Sequence, residues 1–318
     1  MTEISLVTES FNLAEGQSFE AFAATCRALT GMLSQQSAEI LVCDASNDAR
    51  VAALVATLPS AALLPSQGLG YDAQKNLAAR TARGRYVVYL DGDCRPCRED
   101  WLDLLLQPLR DGRAQASGGT SFYDALSPTA MAMSIIDFGY TWERPDAALD
   151  CYAANNVAFT TTLRCEIPAV EEGMRCNCYA HTQELRRRGR EILSVVDAEV
   201  LHEMPDVERE RQRRGYDVAA ACWVNPLQIE SSALAPTDAA LRWHRARFAH
   251  LDQQRLRCAP ATLGITSDNI GEVHAEILRL RRLDLVGLAE ALQEGERDGR
   301  NAEARATFNP WLAAQRLG

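Results

Sequence analysis

The chain has 318 residues, 47% hydrophobic and 24% charged, with a formal net charge of −10. Such a composition suits a globular protein with a sizeable core, and the acidic balance argues against general affinity for nucleic acid or anionic membranes. No run approaches the roughly 18 apolar residues of a membrane span, and the N-terminus lacks a basic stretch followed by an apolar core, so a cytoplasmic protein is expected.

In chain order, "EISLVTESFN" opens with a strand, Ile4 to Val7, running into a polar loop. "SFEAFAATCRALTGML" spaces Phe19, Phe22, Ala23, Cys26, Leu29 and Leu33 as one helical face. "AEILVCDASND" repeats the first pattern: a short apolar strand, Ile40 to Cys43, ending in an acid. A weak helix, "ARVAALVATL", and a strand, "AALLP", precede the helical "GYDAQKNLAARTARG", which Gly84 is expected to cap. Val87 to Leu90 form the next buried strand, followed by a helix from Trp101 to Leu109 and a strand in "AQASGGTSFY". The aromatic and methionine-rich run from Leu126 to Asp150 reads as irregular. A strand in "YAANNVAFTT", a helix ending at Gly189 and a strand-like run to His202 follow. Beyond Pro205, arginine-rich helices dominate, "VHAEILRLRRLDLVGLAEALQEGE" most clearly. The alternation predicts a doubly wound α/β unit with a largely parallel sheet over residues 1–205. Residues 206–318 would be a helical extension that packs on that unit or pairs two subunits.

The chemistry concentrates in "RYVVYLDGDCRPC". Asp91 and Asp93 follow a buried strand, where carboxylates are costly unless a positive charge lies in the crevice outside it. Such a pair can meet one cation, with Asp93 the better placed direct ligand and Asp91 nearer a ribose or bound water. Mg²⁺ or Mn²⁺ suits oxygen ligands completed by substrate phosphates. A solvated turn capping the next helix would use the same residues. Asp44, at the mouth of the second strand, can accept from the imide of uracil or from guanine N1 and its amino group; it would equally serve as a helix cap.

Taken together, the fragments resemble family 2 glycosyltransferases. "TESFN" stands for the family's "PTYN"-like turn, with Glu9 replacing the proline, and "VCDASND" for "VDDGSTD", with Cys43 in place of the first acid. "GLGYDAQKNLAARTARGRYVVYLDGD" follows the segment that ends in the acidic pair, putting Lys75 and Asn76 at its basic and amide positions. "ANNVAF" and "DAEVLHEMP" resemble the acceptor-side strand and the closing histidine element. The resemblance implies a GT-A fold, Rossmann-like with a mostly parallel twisted sheet flanked by helices. It also implies a metal-dependent, inverting transfer of a sugar from a UDP- or GDP-linked donor to an acceptor hydroxyl whose identity stays open. Asp91, Asp93 and His202 would form the metal site, the histidine favouring Mn²⁺ over Mg²⁺. Ser10, Phe11, Asp44, Lys75, Asn76 and Asp91 would bind the donor, Lys75 as a point charge on the diphosphate.

One element departs from the pattern. Relatives carry an acidic pair as general base where this chain has Asn177 and Cys178, neither suited to the role. Glu171, Glu172 and His181 are the nearest substitutes, Glu172 slightly preferred. The departure keeps a non-catalytic nucleotide-sugar binding protein as the alternative. A nucleotidyltransferase is disfavoured because "VTESFNLAEG" is neither basic nor glycine-rich. Of ten cysteines, Cys94 with Cys97 and Cys176 with Cys178 raise a second alternative, a structural zinc site, against the simpler reading of reduced thiols.

Overall fold

The computed structural model describes residues 2–10, 13, 18–46, 48–124, 126–142, 145–169, 177–224 and 236–297. The chain divides into two compact units. One comprises Met1–Asp124, Tyr140–Gly173 and Asn177–Glu203; the other comprises Ala125–Gly139, Met174–Cys176 and Met204–Gly318.

In the first unit, β1 (Ile4–Glu9), β2 (Ala38–Asp44), β3 (Ala61–Pro65) and β4 (Tyr86–Leu90) alternate with α1 (Phe19–Leu33), α2 (Ala49–Val55) and α3 (Tyr71–Thr81). There follow β5 (Cys94–Pro96), α4 (Trp101–Arg110), β6 (Ala116–Tyr123), β7 (Asn156–Thr160), α6 (Thr161–Glu166), α7 (Asn177–Arg187) and β8 (Ile192–His202); α5 (Pro128–Phe138) belongs to the other unit. The eight strands form one sheet in the order β3-β2-β1-β4-β7-β6-β8-β5. β1 pairs in parallel with both β2 and β4, so the strand order switches direction there. In open α/β sheets the crevice outside such strand ends receives the ligand. β7 runs antiparallel to β4 and β6, whereas β6 and β8 are parallel with a register break at Gly119/Thr120.

The strands are apolar on both faces because helices cover both, as parallel sheets require. On one side Phe22, Cys26, Leu29, Val88, Trp101 and Leu105 pack together. On the other Val7, Leu41, Val87, Tyr89, Phe159 and Leu163 do so. Asn156 ties three strands and a helix: its amide donates to the Thr120 and Ala198 carbonyls and accepts from the Trp101 indole.

Two local expectations change. Gly84 does not cap α3, whose C-cap is Ala82. It is a glycine because β1 passes close by: a Cβ there would lie 2.5 Å from the Ser5 nitrogen, and its own N–H donates to Ser5 Oγ. The run expected to be irregular contains α5, capped by Ser127 Oγ with Pro128 in the first turn. Its apolar residues surround the helix, so it shows little amphipathic period and is buried nearly all round.

The second unit is helical: α5 with α8 (Val207–Val224), α9 (Pro236–Arg257) and α10 (Ile270–Arg297). Arg211 on α8 is buried against Asp137 at 2.5 Å and Asp284 at 3.5 Å, while Arg281 bridges Asp284 and Asp252. Among the described residues no helix is long and apolar enough to cross a membrane.

Candidate functional site

The C-terminal ends of β1, β2 and β4 deliver Ser10, Asp44 and the Asp91–Asp93 turn to one edge of the sheet. β8 completes the group. Its antiparallel pairing with β5 sets His202 opposite Cys94, and Glu203 N–H donates to the Asp93 carbonyl. His202 Nε2 thereby comes within 3.4 Å of Asp93 Oδ2, while Nδ1 sits 2.8 Å from the Glu203 carbonyl and Tyr123 packs edge-on to the ring. Gly92 between the two acids has no room for a side chain: a Cβ would meet the Phe22 ring at 2.7 Å.

Burial raises the Asp93 pKa, with Asp91 adding to that and His202 opposing it. A buried carboxylate raised in this way gains from a cation. Asp93, Cys94 and His202 form a cluster able to hold a metal ion, their ligand atoms within 4.8 Å of one another. Burial pushes the Cys94 thiol far up, and it donates to Asp93 Oδ1 at 3.6 Å, the geometry of a protonated neighbour rather than a thiolate ligand. Among the described residues this is the one cluster of its kind. Cys97 is exposed, and Cys176, on which the zinc alternative also depended, lies outside the described residues.

Asp91, expected near the cation, is committed elsewhere. Lys75 Nζ reaches its Oδ1 at 2.6 Å and Tyr71 Oη its Oδ2 at 2.5 Å; the ammonium also donates to Tyr71 Oη and the Ala154 carbonyl. Burial alone would lower the Lys75 pKa, but Asp91 together with Glu9 and Asp72 opposes it and the net shift is upward. Lys75 therefore neutralises a carboxylate inside the protein instead of presenting its charge to a diphosphate. Tyr71 went unnoticed in the sequence, although it stands four residues before Lys75 on a helix, the spacing at which side chains meet.

Asp44 Oδ1 accepts from Ser10 Oγ at 2.5 Å, from Ser46 Oγ at 2.7 Å and from Ser46 N–H at 3.0 Å. The bonds converge on one oxygen and hold the carboxylate still. Phe11 lies outside the described residues.

Asn76 is spent on structure: its amide donates to the Ala169 carbonyl and accepts from the Ala169 N–H, 1% exposed. His181 is likewise internal. Its Nδ1 bonds Tyr152 Oη at 2.8 Å and its Nε2 the Ile167 carbonyl at 2.7 Å. Burial, reinforced by Arg164, lowers its pKa to about 3. Neither ring nitrogen is offered to a substrate, so the imidazole is not placed to serve as a base. Glu171 and Glu172 lie outside the described residues. Asn177 donates to Asp72 Oδ2 at 2.5 Å, a carboxylate that the sequence gave no reason to single out.

Known proteins of this geometry exist. The family described as Glycosyl transferase family 2 matches residues 20–162. No curated protein matches the sequence. Among solved structures, the mannosyltransferase PcManGT from Pyrobaculum calidifontis, in complex with GDP-Man and Mn²⁺, is similar with a TM-score of 0.55 and 16% identity. The match covers 97% of this chain and 87% of that one. Identity that low speaks for the fold, and the family match speaks for the domain. Residues 20–162 are therefore part of a glycosyltransferase family 2 domain, and the chain is a glycosyltransferase with the GT-A fold.

Proposed function

We propose that the chain transfers a sugar, with inversion, from a GDP- or UDP-linked donor to an acceptor hydroxyl, and that it requires a divalent cation. The observation that carries this reading is the approach of His202 to Asp93 at the mouth of the sheet. A carboxylate and an imidazole form a donor set for Mn²⁺ in preference to Mg²⁺, with phosphate oxygens and water completing the shell. The Mn²⁺ and GDP-Man bound by the similar mannosyltransferase support the same choice. When bound, the cation would neutralise charge on the diphosphate leaving group.

The remaining roles follow from the side chains. Asp44, held by Ser10 and Ser46, would accept from the imide of uracil or from N1 and the amino group of guanine. Asp91, pinned by Lys75 and Tyr71, would keep the turn in the conformation that aims Asp93 outward. Fixing these groups beforehand removes reorganisation at the moment the anomeric bond breaks.

The test is a thermal-shift panel of GDP, UDP, TDP and CMP with their common sugar conjugates, each with Mn²⁺, Mg²⁺ or EDTA. Wild type and Asp93→Ala would be compared. A ligand at a hundred times its Kd stabilises by about 2.7 kcal/mol. One nucleotide should raise the Tm in Mn²⁺, and the rise should vanish with EDTA and in Asp93→Ala. An equal rise in EDTA would remove the metal from the reading, and no rise with any nucleotide would remove the donor.

A further inference from the structure

An inverting displacement needs a proton acceptor beside the attacking hydroxyl, and the position expected to hold it carries Asn177. The structure brings a carboxylate to that position from another helix. Asp72 is the second residue of α3, and its Oδ2 accepts from Asn177 Nδ2 at the start of α7. The adjacent Tyr71 donates its hydroxyl hydrogen bond to Asp91 Oδ2. One turn of α3 thus links the first turn of α7 to the acidic turn after β4. We propose that Asp72 is the general base of the transfer, supplying from α3 the carboxylate that α7 lacks. The inference rests on the transfer reaction proposed above.

The surroundings suit the role. Asp72 is 8% exposed: largely desolvated, yet not sealed. Burial raises its pKa most; Asn177, Lys75 and Arg164 pull it down, and Asp91 pushes it up. The net shift is upward, which strengthens a carboxylate as a base near neutrality. Asn177 fixes one oxygen and so orients the other. In the step, the acceptor O–H proton passes to Asp72 as the acceptor oxygen bonds the anomeric carbon. The bond from that carbon to the diphosphate oxygen breaks with its electron pair leaving on the diphosphate. The proton then passes from Asp72 to solvent.

Water is the smallest acceptor, so donor hydrolysis tests the step without knowledge of the natural acceptor. Release of nucleoside diphosphate from GDP-mannose and UDP-glucose in Mn²⁺ would be followed for the full chain. Asp72→Asn keeps the shape and can still accept from Asn177. It should lower kcat by about 10²- to 10⁴-fold, with the donor-induced Tm rise unchanged. The double variant Asp72→Asn/Asn177→Asp moves the carboxylate across the hydrogen bond and should regain at least about tenfold over the single one, a rescue that a purely structural role would not give. Turnover by folded Asp72→Asn within about threefold of wild type overturns the assignment, as does the full loss appearing in Glu172→Gln instead. Where Asp72→Asn melts below the assay temperature, Asp72→Glu replaces it. Displacing a reacting group by about 1 Å can cost 10²-fold, so wild-type kcat in that variant also overturns the assignment. Wild type that binds no donor fails the parent reading; wild type that turns donor over while Asp72→Asn is unimpaired fails only this one.

Discussion

At the scale of single residues, the same side-chain type serves opposite ends depending on its neighbours. His202 and His181 show it. His202 stands at the rim facing a carboxylate, whereas His181 is enclosed by Tyr152, Phe159, Arg164 and the Ile167 carbonyl. In the unfolded chain His181 binds a proton near its ordinary pKa of 6.5, but in the folded chain only near about 3. Between those values the unfolded state holds more protons, so the stability contributed by neutral His181 is full above 6.5 and is lost as the pH falls. The slope approaches about 1.4 kcal/mol per pH unit. Urea denaturation between about pH 7 and pH 5, before most carboxylates titrate, should therefore show wild type losing stability faster than His181→Gln. The variant starts lower because it gives up buried contacts. Parallel slopes would mean that the imidazole is protonated inside the fold. Lys75 teaches a related lesson. Its basic position in the family pattern drew attention to it, but its partner, Asp91, was decided by a helix and a strand end meeting in space.

At the scale of elements, glycines mark where backbones come close. On α8 a Cβ at Gly215 would run into the Asp284 carbonyl of α10, and one at Gly287 into the Gln212 carbonyl of α8. The crossing is as tight as two backbones allow, and reciprocal. Gly215→Ala should destabilise the chain by about 1–3 kcal/mol through overpacking, although alanine is the better helix former by about 1 kcal/mol. Gly271, in the first turn of α10, has nothing within 4 Å of its Cβ position. Its change to alanine should be neutral or slightly stabilising. Thermal melts of the two variants, side by side, decide it: equal effects would mean the helices separate freely. The helices of this unit were legible from their sequence period, but the two glycines could have been read as flexible points. Only the neighbouring helix gives them a steric reason.

At the scale of the whole molecule, the boundary is interleaved in sequence. The helical unit takes in Ala125–Gly139 as well as residues beyond Glu203. Within it, Asp137 on α5 meets Arg211 on α8, Thr129 meets Glu276 on α10, and the Ile135 carbonyl accepts from Arg255 on α9. A chain ended at Glu203 keeps α5 but loses all three partners, leaving the Asp137 carboxylate without its buried arginine. Such a chain should elute as aggregates in size-exclusion chromatography. Replacing Ala125–Gly139 by a short polar linker in it should recover monomer. A monodisperse 1–203 chain with the natural α5 would show that α5 does not depend on the helical unit.

The sequence by itself determined the strand–helix alternation, the apolar faces and the acids at the strand ends, because each is written in local period and in abrupt changes of polarity. It also located the missing acid at Asn177, since that absence is a matter of position in a pattern. The tertiary structure decided which charges meet. β8 pairs with β5 and brings His202 to Asp93; α3 lies beside the acidic turn and brings Lys75 to Asp91; α7 begins against α3 and brings Asn177 to Asp72. Each of these contacts joins residues at least 16 positions apart. No local rule of spacing reaches that far, so the assignment of each charge to its partner waits for the sheet and its helices to close.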